Sequence, residues 1–162
     1  MIMEKKFELT DKFIINVFGI KLFQIKCTKS FKYAQKGDLG GYVEKEGNLD
    51  QENDAWVSGD AQVSGNAQVY GNAWVSGNAQ VSGDANIKNN NEHCGFDGFG
   101  SCNRHTHAYL TKEKKVEITC GCFRGSIEEF EKKVEETHSG TIYEKQYKAI
   151  INVIKIKFGL TD

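Results

Sequence analysis

The sequence has no proline, where ordinary usage at this length would give about eight. Arginine is nearly missing too: of 21 basic residues only Arg104 and Arg124 are arginine. With lysine, isoleucine and asparagine abundant, this bias is that of an AT-rich genome and reports codon usage more than function. It singles out the two remaining arginines. No long hydrophobic run exists; the longest, around Phe13 to Phe18, is far too short to cross a bilayer. The first ten residues carry acidic side chains and lead into no apolar core, so they do not read as a signal peptide and a cytoplasmic protein is expected. Neither sign of charge dominates, 21 basic residues standing against 22 acidic ones. That balance argues against nucleic acid or a membrane surface as partner. The five cysteines (Cys27, Cys94, Cys102, Cys120 and Cys122) are odd in number. Without an export signal they exclude a disulfide scaffold and leave free thiols or a metal site.

What is present is a repeat. From Val57 the chain reads VSGDAQ, VSGNAQ, VYGNAW, VSGNAQ, VSGDAN and then Ile87, a period of six without a slip. Valine or isoleucine recurs at 57, 63, 69, 75, 81 and 87, and alanine at 55, 61, 67, 73, 79 and 85. One large and one small inward residue suit a narrow interior, while Gly-Asn or Gly-Asp supplies the conformations a corner needs. A low-complexity linker would have no reason to hold valine and alanine in phase over five hexads. The pattern resembles the hexapeptide repeat of left-handed parallel β-helices, in which three hexads make one triangular coil. Val43 and Leu49 fall in phase with the alanines, so an imperfect coil is expected ahead of the regular ones.

Residues 43–90 amount to fewer than three coils. Six buried Val/Ile side chains are little against the entropy of ordering that stretch, and both ends would be exposed edges. Capping flanks and an oligomer are therefore expected; the resemblance implies a homotrimer. Residues 1–42 read as an N-terminal β-hairpin cap, with apolar runs Phe13 to Phe18 and Ile20 to Cys27 joined at Gly19. Residues 91–162 read as a small C-terminal α+β unit. Residues 89–107 look like a Gly/Asn-rich loop and Val116 to Cys122 a strand. Ser126 to His138 reads as a helix, with a Ser126/Glu129 capping box and Ile127, Phe130 and Val134 on one face, stopped by Gly140. A second helix from about Tyr143 to Phe158 carries Tyr147, Ile150, Ile151 and Ile154. The predicted class is mainly β: a short left-handed parallel β-helix between a hairpin cap and an α+β unit.

The strings KGDLGGYVEKEGNLDQ, AWVSGDAQVSGNA, GSCNR and CGCFRGSIEEFEKKVEETH together resemble a family of phage and prophage hexapeptide-repeat proteins, usually labelled "polymer-forming cytoskeletal". The likeness runs from about residue 7 to 158 and is most specific over Gly37 to Leu49 and Cys120 to His138. The label stems from β-helix similarity to bacterial filament formers and carries little functional weight. The resemblance implies a phage-linked accessory protein in the cytoplasm of an infected bacterium.

On the outer faces, Trp56 and Trp74 lie eighteen residues apart, one above the other in a three-hexad coil; Gln62 and Gln80 stack likewise, and Tyr70 projects among serines. Exposed stacked indoles make an apolar stripe, so Trp56, Tyr70 and Trp74 are the expected interface, first between subunits and otherwise with a partner or ligand. His93, Cys94, Cys102, His105, His107, Cys120, Cys122 and His138 carry zinc-binding atoms. They contain no C-x2-C pair, and Cys120 and Cys122 on one strand would point to opposite faces. No metal and no cofactor are expected. Ser101, Arg104 and Thr106 in a Gly-rich segment, with Arg124 and Ser126 at a helix mouth, are candidate contacts to a phosphorylated small molecule. Against this, Glu128 and Glu129 already serve the helix dipole, and the plain reading is a loop and an ordinary cap. Acyl transfer, common among hexapeptide-repeat proteins, implies a histidine at a subunit cleft; no hexad carries one, and no catalytic constellation stands out. The expectation is a non-catalytic binding protein in phage–host conflict, sequestering a nucleotide signal or blocking a host defence protein. A self-assembling scaffold or virion component comes next and an acyltransferase third.

Overall fold

The computed structural model describes residues 4–160. It begins with the expected hairpin, β1 (Phe7–Ile15) antiparallel to β2 (Lys21–Cys27). Asn16 closes its turn, its Oδ1 accepting from the N–H groups of Phe18 and Ile20, and Gly19 takes a left-handed φ of 80°. β2 pairs antiparallel with β3 (Leu39–Val43), and β3 turns the pattern parallel by pairing with the first of the hexad strands on its side.

Each hexad contributes one two-residue strand and one glycine corner. The strands are β4 (Trp56–Val57), β5 (Gln62–Val63), β6 (Gln68–Val69), β7 (Trp74–Val75), β8 (Gln80–Val81) and β9 (Asn86–Ile87). Among themselves they pair in parallel with the strand eighteen residues on: Trp56 with Trp74, Gln62 with Gln80, Gln68 with Asn86. Between coils, N–H groups donate to carbonyls at nearly even spacing, as Trp56 to Ala73, Gln62 to Ala79 and Gln68 to Ala85. Two-residue strands suffice because the ladder continues through the corners, where Asp60 and Asn66 donate to the carbonyls of Gly77 and Gly83. Those corners hold glycine at φ of 61–65°, a region a side chain resists, and a Cβ at Gly65 would lie 3.2 Å from Gly83. The valine and alanine rows are buried throughout.

The lead-in coil departs from the expected phase. Val43 and Leu49 lie opposite Val63 and Val69, twenty residues on, and not opposite the alanines. The chain between Leu49 and Trp56 is two residues longer than a hexad allows, and it is tied down from the hairpin. Lys6 Nζ donates to the carbonyls of Glu52, Asn53 and Ala55, and Gln51 bonds the backbone of Lys6 and Phe7.

The stretch expected to be a loop, residues 89–107, instead holds one strand and the start of another. β10 (His93–Phe99), β11 (Arg104–Leu110), β12 (Val116–Cys120) and β13 (Phe123–Ser126) form an antiparallel sheet in sequence order. Glycine and histidine hid the alternation. On β11, Thr106 and Ala108 face one way and His105, His107 and Tyr109 the other. Residues 116–122 are not a single strand either, because Gly121, at φ 59°, turns the chain after Cys120. The helices α1 (Ile127–His138) and α2 (Ile142–Lys157) match expectation within a residue or so at each end, with the Ser126 capping box formed and Gly140 left-handed after α1. Both cover one face of the sheet, burying Ala108, Ile118, Phe130, Val134, Tyr147 and Ile154 together. The opposite face meets the last coil: the Tyr109 hydroxyl donates to the Ser82 carbonyl (3.3 Å), Thr119 Oγ1 to Gln80 (2.7 Å) and the Lys112 amide to Asp84 (2.8 Å). No helix among the described residues is long and apolar enough to cross a membrane.

Candidate functional site

The chemistry-bearing groove lies where α1, α2 and the β12–β13 turn meet the start of β11, and encloses about 470 Å³, within the range of small-molecule sites. Alternation on β11 sends Arg104 to the helix side. Gly121 makes room for it: a Cβ there would stand 2.7 Å from the guanidinium. The floor is aromatic. Phe130 meets the Tyr147 ring edge-on at 5.6 Å, His138 stacks on it at 5.5 Å, and Phe123 leans on Phe130. Lys133 and Thr137, one turn apart on α1, form the rim. Cys120 lies buried beside the Tyr147 hydroxyl (3.8 Å) and Cys122 is exposed at the edge. Burial and the neighbouring Cys120 thiol push the Tyr147 hydroxyl up from its ordinary value, while Arg104 acts to lower it. Tyr147 is therefore a neutral hydrogen-bond donor. Among the described residues no carboxylate lines this groove, whereas Arg104, Arg124, Lys133 and His138 do.

The five residues expected around a phosphorylated ligand are not all brought here. Arg104 is in the groove. Arg124 lines it, but its Nε is committed to Glu117 at 3.1 Å; that carboxyl is raised by burial and lowered in turn by Arg124. Thr106 is buried, its hydroxyl donating to the Cys120 sulfur. Ser126 Oγ accepts from the Glu129 amide as the helix cap. Ser101 is exposed on the β10–β11 turn, near Cys102. Sequence spacing alone does not bring Lys133, His138 and Tyr147 together as the structure does. The usable signal was the polar pair Lys133 and Thr137 flanking Phe130 and Val134 on the same helix.

The expected aromatic stripe is also divided. Trp56 and Trp74 are register partners, but Trp56 is only 2% exposed because Phe31 covers it edge-on at 5.3 Å. Trp74 is 42% exposed, stacked on Tyr33 at 4.9 Å with its Nε1–H donated to Ser58. The segment after the hairpin, unassigned from sequence, does this covering. Tyr70 is half-buried at a wider hollow of about 810 Å³. That hollow sets Glu4, Glu46, Asp50 and Glu52 against Lys5 and has no aromatic floor like that of the groove. Among the described residues no three His, Cys, Asp or Glu side chains are grouped to hold a metal ion.

Residues 61–77 and again 67–83 match the model of the YdcK beta solenoid repeat. The hexads are a β-solenoid repeat. The match to the solenoid stops short of the groove and of the hairpin. No curated protein sequence matches the chain.

Proposed function

We propose that the chain is a non-catalytic binding protein that holds a small phosphorylated ligand, of the nucleotide kind, in the groove between α1, α2 and the β12–β13 turn. The observation that carries this is the composition of that groove: Arg104, Lys133 and His138 stand around the rings of Phe130 and Tyr147, with no carboxylate among the described residues of the lining. Cations meet phosphate oxygens, and flat rings with a neutral hydroxyl suit a base. The wider setting rests on the resemblance: a phage-encoded protein that sequesters a nucleotide signal in the infected cell, on a left-handed, three-sided solenoid assembled as a trimer. The exposed Trp74–Tyr33 stack is the surface for that assembly. Filament growth through open coil ends is the weaker alternative, because Tyr109, Thr119 and Lys112 already occupy carbonyls of the last coil.

Calorimetry with a panel of nucleoside mono-, di- and triphosphates and cyclic nucleotides tests the reading, on wild type and on Arg104→Ala. One ligand should bind, with affinity reduced at least about tenfold by the substitution, the loss of one charge-assisted contact. Silence across the panel retires it. Light scattering separates a discrete oligomer from open-ended assembly.

A further inference from the structure

Three of the four histidines line up in series on the sheet face turned towards the solenoid. Asp97 Oδ1 lies 2.6 Å from His105 Nδ1, His105 Nε2 lies 2.9 Å from His107 Nδ1, and His107 Nε2 lies 2.9 Å from His93 Nδ1. The outer end of His93 meets Asn90 Oδ1 at 3.4 Å, and the backbone carbonyl of Trp74 accepts from the ring as well. Asn90 cannot turn its amide to offer a proton there, because its Oδ1 is held by the Trp74 N–H at 2.8 Å. Gly95 makes the row possible: it pairs with His107 across the strands, and a Cβ on it would fall 2.6 Å from both His105 and His107.

The row can be counted in protons. It begins and ends on acceptors, a carboxylate and an amide or peptide oxygen, so its four contacts need four hydrogens. Three neutral imidazoles supply three. We propose that Asp97, His105, His107 and His93 form a single proton chain that holds one excess proton, and that this proton fastens the C-terminal unit to the Trp74 side of the solenoid. The charge rests on His105 against the Asp97 carboxylate. His105 then donates through Nε2 to His107, His107 through Nε2 to His93, and His93 through Nε2 to Asn90 and Trp74.

The surroundings agree with that placement. Burial, opposed by nothing but weaker effects, lowers His93 to about 4, with Lys157 at the end of α2 lowering it further and Glu92 before β10 raising it. His107 is pushed well below its ordinary value by burial and by the two other rings. Both stay neutral as relays. Its cross-strand neighbours, Gly95 and Thr119, carry no charge, and Trp74 and Asn90 on the solenoid side carry none either. Withdrawing the excess proton leaves three hydrogens for four contacts and undoes one of them. Adding a second puts two cations on adjacent rings in a buried seam.

Nitrogen-edited NMR of the imidazoles in the wild-type protein at pH 7 reads the chain directly. His105 should show both nitrogens protonated, and His107 and His93 should show protons on Nε2 alone. Three neutral rings, or two cationic ones, overturn the proposal. Asp97→Asn should return His105 to the neutral pattern and quicken hydrogen exchange at the Trp74 amide by about tenfold. An unchanged His105 signature in that variant overturns it too. Stoichiometric, tight Zn²⁺ binding that shifts all three rings together would show a metal site and not a proton chain, and so would also sink it.

Discussion

The inward rows of the solenoid are valine, isoleucine and alanine, each stacked on a counterpart eighteen residues away. The C-terminal unit buries Ala108, Ile118, Phe130 and Tyr147 together from four different elements. Chemistry divides the same way. All four histidines, both arginines and every cysteine except Cys27 come after residue 90. A coil whose interior admits only small aliphatic groups leaves no room there for a reactive one, and the histidines, arginines and all but one of the thiols lie in the irregular unit.

That contrast can be broken at several points. Trp56 is a large ring buried against the solenoid wall under Phe31, and Trp56→Ala should cost about 4 kcal/mol, read as a lowered urea midpoint. Gly40→Ala comes next, at about 3 kcal/mol, because its Cβ would meet Ile25, the Val57 carbonyl and Trp56 at 2.6–2.8 Å. Acid should act on the C-terminal side through its buried histidines. Burial lowers the folded His93 from 6.5 to about 4 and pushes His107 well below its ordinary value. Below pH 6.5 the unfolded chain therefore takes up protons that the folded one refuses. The contribution of these two rings falls as pH drops from 6.5 towards 4, by on the order of 2 kcal/mol. Melts at pH 7, 5.5 and 4.5 check this, and a flat profile would contradict it. Tyr109→Phe removes one hydroxyl from the seam between the two regions and should cost about 1 kcal/mol. Trp74→Ala, the same residue type on the same face one coil on from Trp56, should change the monomer's stability by only about 0.5 kcal/mol, while altering oligomer size in light scattering.

The two regions were unequally legible. Val57 to Ile87 declared its architecture, because each position repeats one local environment and periodicity reports it directly. The phase of Val43 and Leu49 did not, since the two additional residues before Trp56 are accommodated by Lys6 and Gln51 from the hairpin, a long-range contact that spacing cannot reveal. β10 was missed because glycine at 95 and 98 mimics a loop, although Gly95 is there to admit two imidazoles. The burial of Trp56 leaves no sequence signal for a similar reason: its cover, Phe31, comes from a segment with no pattern of its own. Within the groove, Arg104 was found through its rarity, while Lys133, His138 and Tyr147 converge only once both helices have packed.

Matching every rung eighteen residues on has an evolutionary side. Replication slippage over so even a sequence would most readily gain or lose one hexad, yet such an event would shift everything downstream to the next face. Gln80 and Ser82 would then no longer present their carbonyls where Thr119 and Tyr109 wait. Heritable changes of length in this protein should therefore come in threes, a whole turn at a time, and a lineage carrying four or seven hexads would need a rebuilt seam to go with them.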